Sequence, residues 1–193
     1  ACMLFIDYLA NKPEPPEPIE AVVTVTVDND ATFEFSDFGK GWAYAMKQSL
    51  SKPAEIKLYD DWVAENGKFI CLDDKGNEYG SEGGYLYLND DHVLTIDLNG
   101  HTIDRNLNEA TDNGFVFRLY DYEARLIIKD SVGGGKITGA NNKGNGGAFL
   151  VERGGLYILG GKISGNKAKN GAGVYWESQG NLCICNCEIT GNE

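Results

Sequence analysis

The chain has 193 residues, 42% of them apolar, enough to bury a core in one large domain or two small ones. Its formal net charge is −12 at pH 7, and so acidic a surface repels phosphate backbones and anionic lipid, which argues against nucleic acid or a membrane surface as partner. No apolar run reaches the ~18 residues that a membrane-crossing helix needs.

Residues 1–20 are read as an N-terminal segment followed by a spacer in which Pro13, Pro15, Pro16 and Pro18 favour an extended chain. Ala1 to Ala10 is apolar but short, carries Asp7 and lacks a basic start, so it is not a complete signal peptide. Residues 21–83 are read as a capping region. Ala21–Val27 alternates β-branched residues and meets Thr32–Phe35 across an Asp-Asn-Asp turn, which predicts a β-hairpin. Ser36 or Asp37 caps a helix from about Lys40 to Ser51, with Trp42, Ala45, Met46 and Leu50 on one apolar face. Glu55–Tyr59 and Lys68–Leu72 read as short strands, and the acidic stretch Asp73–Glu82 as a loop.

From residue 84 to residue 193 short strands alternate with Gly, Asn and Asp: Tyr85–Leu88, Val93–Leu98, Phe115–Leu119 and Leu126–Ile128. After Gly135 the chain repeats. Lys136-Ile-Thr-Gly139 returns as Lys162-Ile-Ser-Gly165 and Glu188-Ile-Thr-Gly191, and Leu156-Tyr-Ile158 returns as Leu182-Cys-Ile184. Gly147-Ala-Phe-Leu150 lines up with Gly173-Val-Tyr-Trp176 at the same 26-residue shift, so the unit reads as copied without insertion. The earlier coils are longer, since Ile103 and Ile137 lie 34 residues apart. A unit this short must be buried by stacking on its neighbours, and three strands per coil with Gly and Asn at the corners describe an all-β, right-handed parallel β-helix, a solenoid capped by a hairpin and a short α-helix. The period calls for a further strand after Glu193, and the first residue is not methionine; the expectation is a piece of a longer polypeptide.

Leu94-Thr-Ile-Asp-Leu-Asn-Gly-His-Thr-Ile103, Gly135-Lys-Ile-Thr-Gly139 and Ile163-Ser-Gly-Asn-Lys-Ala168 with Gly171-Ala-Gly-Val-Tyr175 resemble the β-helix repeat surface proteins of the pectin-lyase-like superfamily. The last two elements are also similar to the repeats of polymorphic outer-membrane adhesins. The resemblance covers about residues 21–193 and implies a bacterial, extracellular or cell-surface protein. It says little of activity, because one scaffold hosts lyases, hydrolases and adhesins.

Period-2 alternation places Leu156, Ile158, Leu182 and Ile184 inward, with Ala148/Val174 and Leu150/Trp176 as further inward columns. Phe149/Tyr175, Tyr157/Cys183 and Leu159/Cys185 are then outward, and Asn166 and Asn192 stack at a corner. Tyr85, Tyr87, Phe149, Tyr157 and Tyr175 are the candidate binding residues, as exposed aromatics on a rigid sheet that suit sugar rings or a protein partner. No catalytic set is evident. Glu152 and Glu177 come closest to a carboxylate pair, His101 reads as a structural corner residue, and His92 has no nucleophile signature beside it. The Asp60-Asp61, Asp73-Asp74 and Asp90-Asp91 doublets lack a calcium-loop spacing. Cys183, Cys185 and Cys187 share one parity and would line one outer strip, but no fourth ligand completes a metal site, and no cofactor is expected.

The leading expectation is a non-catalytic surface or adhesin-like module that presents a sheet face to a glycan or surface protein. The alternative is a polysaccharide lyase or glycoside hydrolase with its active site in coils beyond this chain. Unpaired strand edges at the end of the stack also favour end-to-end or self-association.

Overall fold

A computed structural model describes residues 20–193, so the expectations for the first 19 residues lie outside the described part. The chain begins with the predicted hairpin, β1 (Val23–Val27) and β2 (Ala31–Phe35). Asp28 and Asn29 both take φ of 57°, the left-handed turn that matches strand twist. Helix α1 (Phe38–Ser49) follows, and the Asp37 carboxylate accepts from the Lys40 N–H at 2.8 Å, satisfying one donor of the first turn.

Strands β3 (Ala54–Leu58) and β4 (Trp62–Val63) come next, then the hairpin β5 (Ser81–Glu82) and β6 (Tyr85–Leu88). Lys68–Leu72, expected as a strand, makes only isolated bridges, Glu65 to Lys68 and Leu72 to Glu78. The remaining chain is short strands throughout. They are β7 (Val93–Asp97), β8 (Thr102–Asp104), β9 (Phe117–Leu119), β10 (Arg125–Lys129), β11 (Lys136–Thr138), β12 (Asn141–Asn145) and β13 (Phe149–Val151). After them come β14 (Gly155–Ile158), β15 (Lys162–Ser164), β16 (Lys167–Asn170), β17 (Val174–Trp176), β18 (Leu182–Ile184) and β19 (Glu188–Thr190).

Among the described residues the structure is mostly β with one helix, and the sheets are mostly parallel. One sheet runs β18-β14-β10-β7-β3-β1-β2, a second β19-β15-β11-β8-β4, a third β17-β13-β9-β6-β5, and a small fourth pairs β12 with β16. Among the described strands only the β1–β2, β1–β3 and β5–β6 pairs are antiparallel. Parallel pairing starts at Ala54, because β3 already lies beside β7 and β4 beside β8.

Each sheet carries columns of like residues. Leu94, Leu126, Leu156 and Leu182 stack in register, as do Ile96, Ile128, Ile158 and Ile184, and Ile103, Ile137, Ile163 and Ile189 in the second sheet. These columns form the core. Burying each branched side chain contributes about 1.5–3 kcal/mol. The last members of the columns, Leu182, Ile184 and Ile189, are about two-fifths exposed. At the other end α1 closes the core with fully buried Trp42, whose indole N–H donates to the Gly80 carbonyl at 2.8 Å and whose ring lies near Trp62 and Phe117.

Polar side chains hold the corners. Asn166 is fully buried; its carbonyl accepts from the Ala140 N–H, and its amide donates to Ile137 O and to Asn192 Oδ1. The expected Asn166–Asn192 stack is therefore present, and one amide serves three successive rungs. Arg105 is buried and, among the described residues, has no carboxylate partner. Its guanidinium donates instead to the carbonyls of Phe115, Gly67, Gly84 and Gly83, and burial pulls its pKa down to about 10.

Candidate functional site

The outer face of the β17-β13-β9-β6-β5 sheet is the richest in groups that recognise ligands. Its register differs from the one the 26-residue repeat predicts. Phe149 pairs with Val174, Leu150 with Tyr175 and Val151 with Trp176, a shift of 25. The cause lies just upstream, where the β12–β16 ladder slips by one between Asn142 and Asn145. A bulge of one residue moves every following side chain to the other face.

Asn142, itself buried, holds the bulge: its amide donates to the Asn145 and Gly146 carbonyls at 2.7 and 2.8 Å, and its carbonyl accepts from the Gly114 N–H. Gly147 completes the device, because a Cβ there would collide with the Ala172 carbonyl.

The slip corrects two site expectations. Phe149 is not outward; it is fully buried and stacks on Phe117 with ring centroids 5.3 Å apart. Leu150, expected inward, joins the outer column Tyr87–Arg118–Leu150–Tyr175. Tyr85 has the outward parity but is 3% exposed, because Phe115 lies over it at 4.6 Å between ring centroids. Tyr87 and Tyr175 are half-buried in the same column, and Tyr157 is half-buried on a different sheet, beside Ile127 and Cys183. The five aromatics therefore do not form one strip.

The residue that organises the face is Arg118, which the aromatic reading missed. Its Nε–H donates to Glu152 Oε2 at 2.7 Å, its Nη1 reaches the Tyr85 hydroxyl at 3.4 Å, and its guanidinium lies 4.9 Å from the Tyr120 ring centroid. The Glu152 carboxylate raises the Arg118 pKa, so the cation is permanent. Tyr85 in turn donates to Glu82 at 3.0 Å, and burial raises its phenol pKa. Tyr87 and Tyr120 face each other at 6.0 Å, which completes an aromatic platform beside the ion pair. Arg118 and Glu152 are 34 residues apart, although strand pairing sets Arg118 against Leu150, so no single repeat interval brings them together.

Beyond Leu150 the face opens into a cleft of about 290 Å³ lined by Asp112, Phe115, Asn142, Glu152, Tyr175 and Glu177 among others. Glu177 follows Trp176 on the rung next to Glu152, with the Glu177 N–H donating to the Val151 carbonyl at 2.9 Å. Adjacent rungs lie about 4.8 Å apart, so both carboxylates enter one small space. The structure thus makes a neighbouring pair of the two glutamates that the sequence only suggested.

Other sequence candidates take structural roles. His101 Nδ1 lies 3.5 Å from Asp61, and His92 is buried against Ser49 at 2.8 Å. The Ser49 hydroxyl donates to the Met46 carbonyl, so His92 Nδ1–H is the donor to Ser49. Asp73 accepts from the Lys75 and Asn77 N–H groups and pairs with Lys47, which holds its carboxyl far below the usual range. A larger cleft, about 830 Å³ beside α1 between Tyr44 and Leu72, contains that pair, so its main charges already satisfy one another. Among the described residues no group of three or more His, Cys, Asp or Glu is placed to hold a metal ion.

No family model, curated protein or solved structure matches the chain.

Proposed function

We propose that the three parallel stacks are the faces of a right-handed β-helix of the pectin-lyase-like kind, and that the chain is a secreted or cell-surface, adhesin-like bacterial module without catalysis of its own. Its Tyr87–Arg118–Leu150–Tyr175 face presents a rigid platform to a glycan. The carrying observation is the fixed order on that face: the tilted Tyr87–Tyr120 pair, a guanidinium locked by Glu152, then an open cleft bordered by Tyr175 and two more carboxylates. Aromatic rings stack on the apolar faces of sugars, while charged and amide groups select their hydroxyls. The columns beneath hold the platform still, so little ordering entropy opposes binding. A glycan array probed with the folded chain tests this. Tyr175→Ala lowers binding about tenfold, in line with a lost aromatic contact of about 1.5 kcal/mol, and leaves the melting temperature near that of the parent. An array without signal from folded protein overturns the reading.

A second reading rests on one observation, the neighbouring carboxylates Glu152 and Glu177. Two carboxyl groups bordering one cleft suit the acid/base work of glycoside hydrolysis. Release of reducing sugar that vanishes in Glu177→Gln would favour this glycosidase over the binding module.

A further inference from the structure

The three terminal cysteines do not form the single outer strip that their parity suggests. Cys183 lies in β18 and Cys185 just after it, where the Cys185 N–H still donates to the Ile158 carbonyl at 2.9 Å, so both side chains stay on the outer face. Asn186 then takes φ of 52°, a left-handed corner that redirects the chain, and Cys187 is partly buried against the core. Two thiols remain together, Cys183 half-exposed and Cys185 exposed, and neither is in a disulfide.

We propose that Cys183 and Cys185 form a two-thiolate site for a soft monovalent metal ion, Cu(I). Residues two apart on an extended strand have Cα atoms about 6.6 Å apart with near-parallel Cβ vectors, at the far limit of disulfide geometry. An S–S bond would bend the rung, whereas one interposed metal atom bridges the gap without moving it. Thiolates are soft donors that favour Cu(I). Tetrahedral zinc needs four ligands, and no described residue supplies a third. Binding exchanges the two thiol protons for one Cu(I), with no change in oxidation state.

The test titrates the reduced full chain, under inert gas, with Cu(I) in competition with a chromogenic chelator. The parent takes one equivalent, Cys183→Ser and Cys185→Ser each lose it, and Cys187→Ser and Cys2→Ser each keep it. Both essential positions are on the surface, so the serine variants retain the parent's circular dichroism. Loss of binding in Cys187→Ser or Cys2→Ser, its retention in Cys183→Ser or Cys185→Ser, or equal uptake of Zn(II) would overturn the proposal.

Discussion

Two strips of the same stack behave differently. Along β10, β14 and β18 the repeat of Leu156 as Leu182 and Ile158 as Ile184 holds at 26 residues, and each outward residue shares its column with its repeat partner. Along β9, β13 and β17 the register is displaced by one, Phe149 turns into the core, and Arg118, Leu150 and Tyr175 face out together. The regular strip is scaffold, whose alternation packs the core. The displaced strip departs from the repeat where the candidate site is assembled, with a buried asparagine holding the departure in place.

The most direct way to break this contrast is to truncate Phe149. A fully buried ring stacked on Phe117 costs about 3–5 kcal/mol when replaced by alanine, while Leu150→Ala costs less than half as much; denaturant midpoints of the two variants read the register. If Leu150→Ala is the more damaging, the displacement is refuted. Next in size is Arg105→Met, which deprives the Phe115, Gly67 and Gly83 carbonyls of their donor and costs about 2–4 kcal/mol by thermal unfolding. Asn142→Ala follows, at about 1–3 kcal/mol. It also weakens glycan binding, because the bulge that turns Tyr175 outward loses its lock; an equal loss of stability at Asn166→Ala leaves glycan binding unchanged.

The smallest effect belongs to the regular strip. Burial holds the His92 pKa below its ordinary 6.5, against the opposing pull of Asp90 and Asp91. The unfolded chain therefore takes up the proton first as pH falls. The stabilisation is complete above about pH 6.5 and is lost as pH drops through the depressed folded value. His92→Gln flattens that part of the stability–pH curve, measured by chemical denaturation from pH 7 to 5.

Much of the fold was legible because it rests on residues that recur. Leu156/Leu182, Ile163/Ile189 and Asn166/Asn192 announce their columns by spacing alone, and Asp37 announces the helix start by its capping chemistry. The displaced strip was hidden because two irregularities cancel. One extra residue between Asn142 and Asn145 is offset by one extra between Trp176 and Leu182, so the period over the whole coil stays 26. Tyr85 misled for another reason: its parity is outward, but Phe115 from a neighbouring segment covers it, and strand alternation carries no information about such lids. Arg118 and Glu152 lie in longer and shorter coils, so their meeting across 34 residues is invisible to a search at one period.

The pairing distances have a consequence for how the chain comes to be folded. Every parallel ladder joins a strand to the one before it in the same sheet, and the hairpin, α1 and β3 complete the first layer from local sequence. No contact in the ladders waits for a distant part of the chain, so loop-closure cost is spread evenly and growth proceeds from a preformed seed. A chain emerging from the ribosome would add one layer for every few seconds of synthesis, at the ordinary ~5–20 residues per second. Order would advance as a front moving from the N-terminus, each finished layer serving as the template for the next.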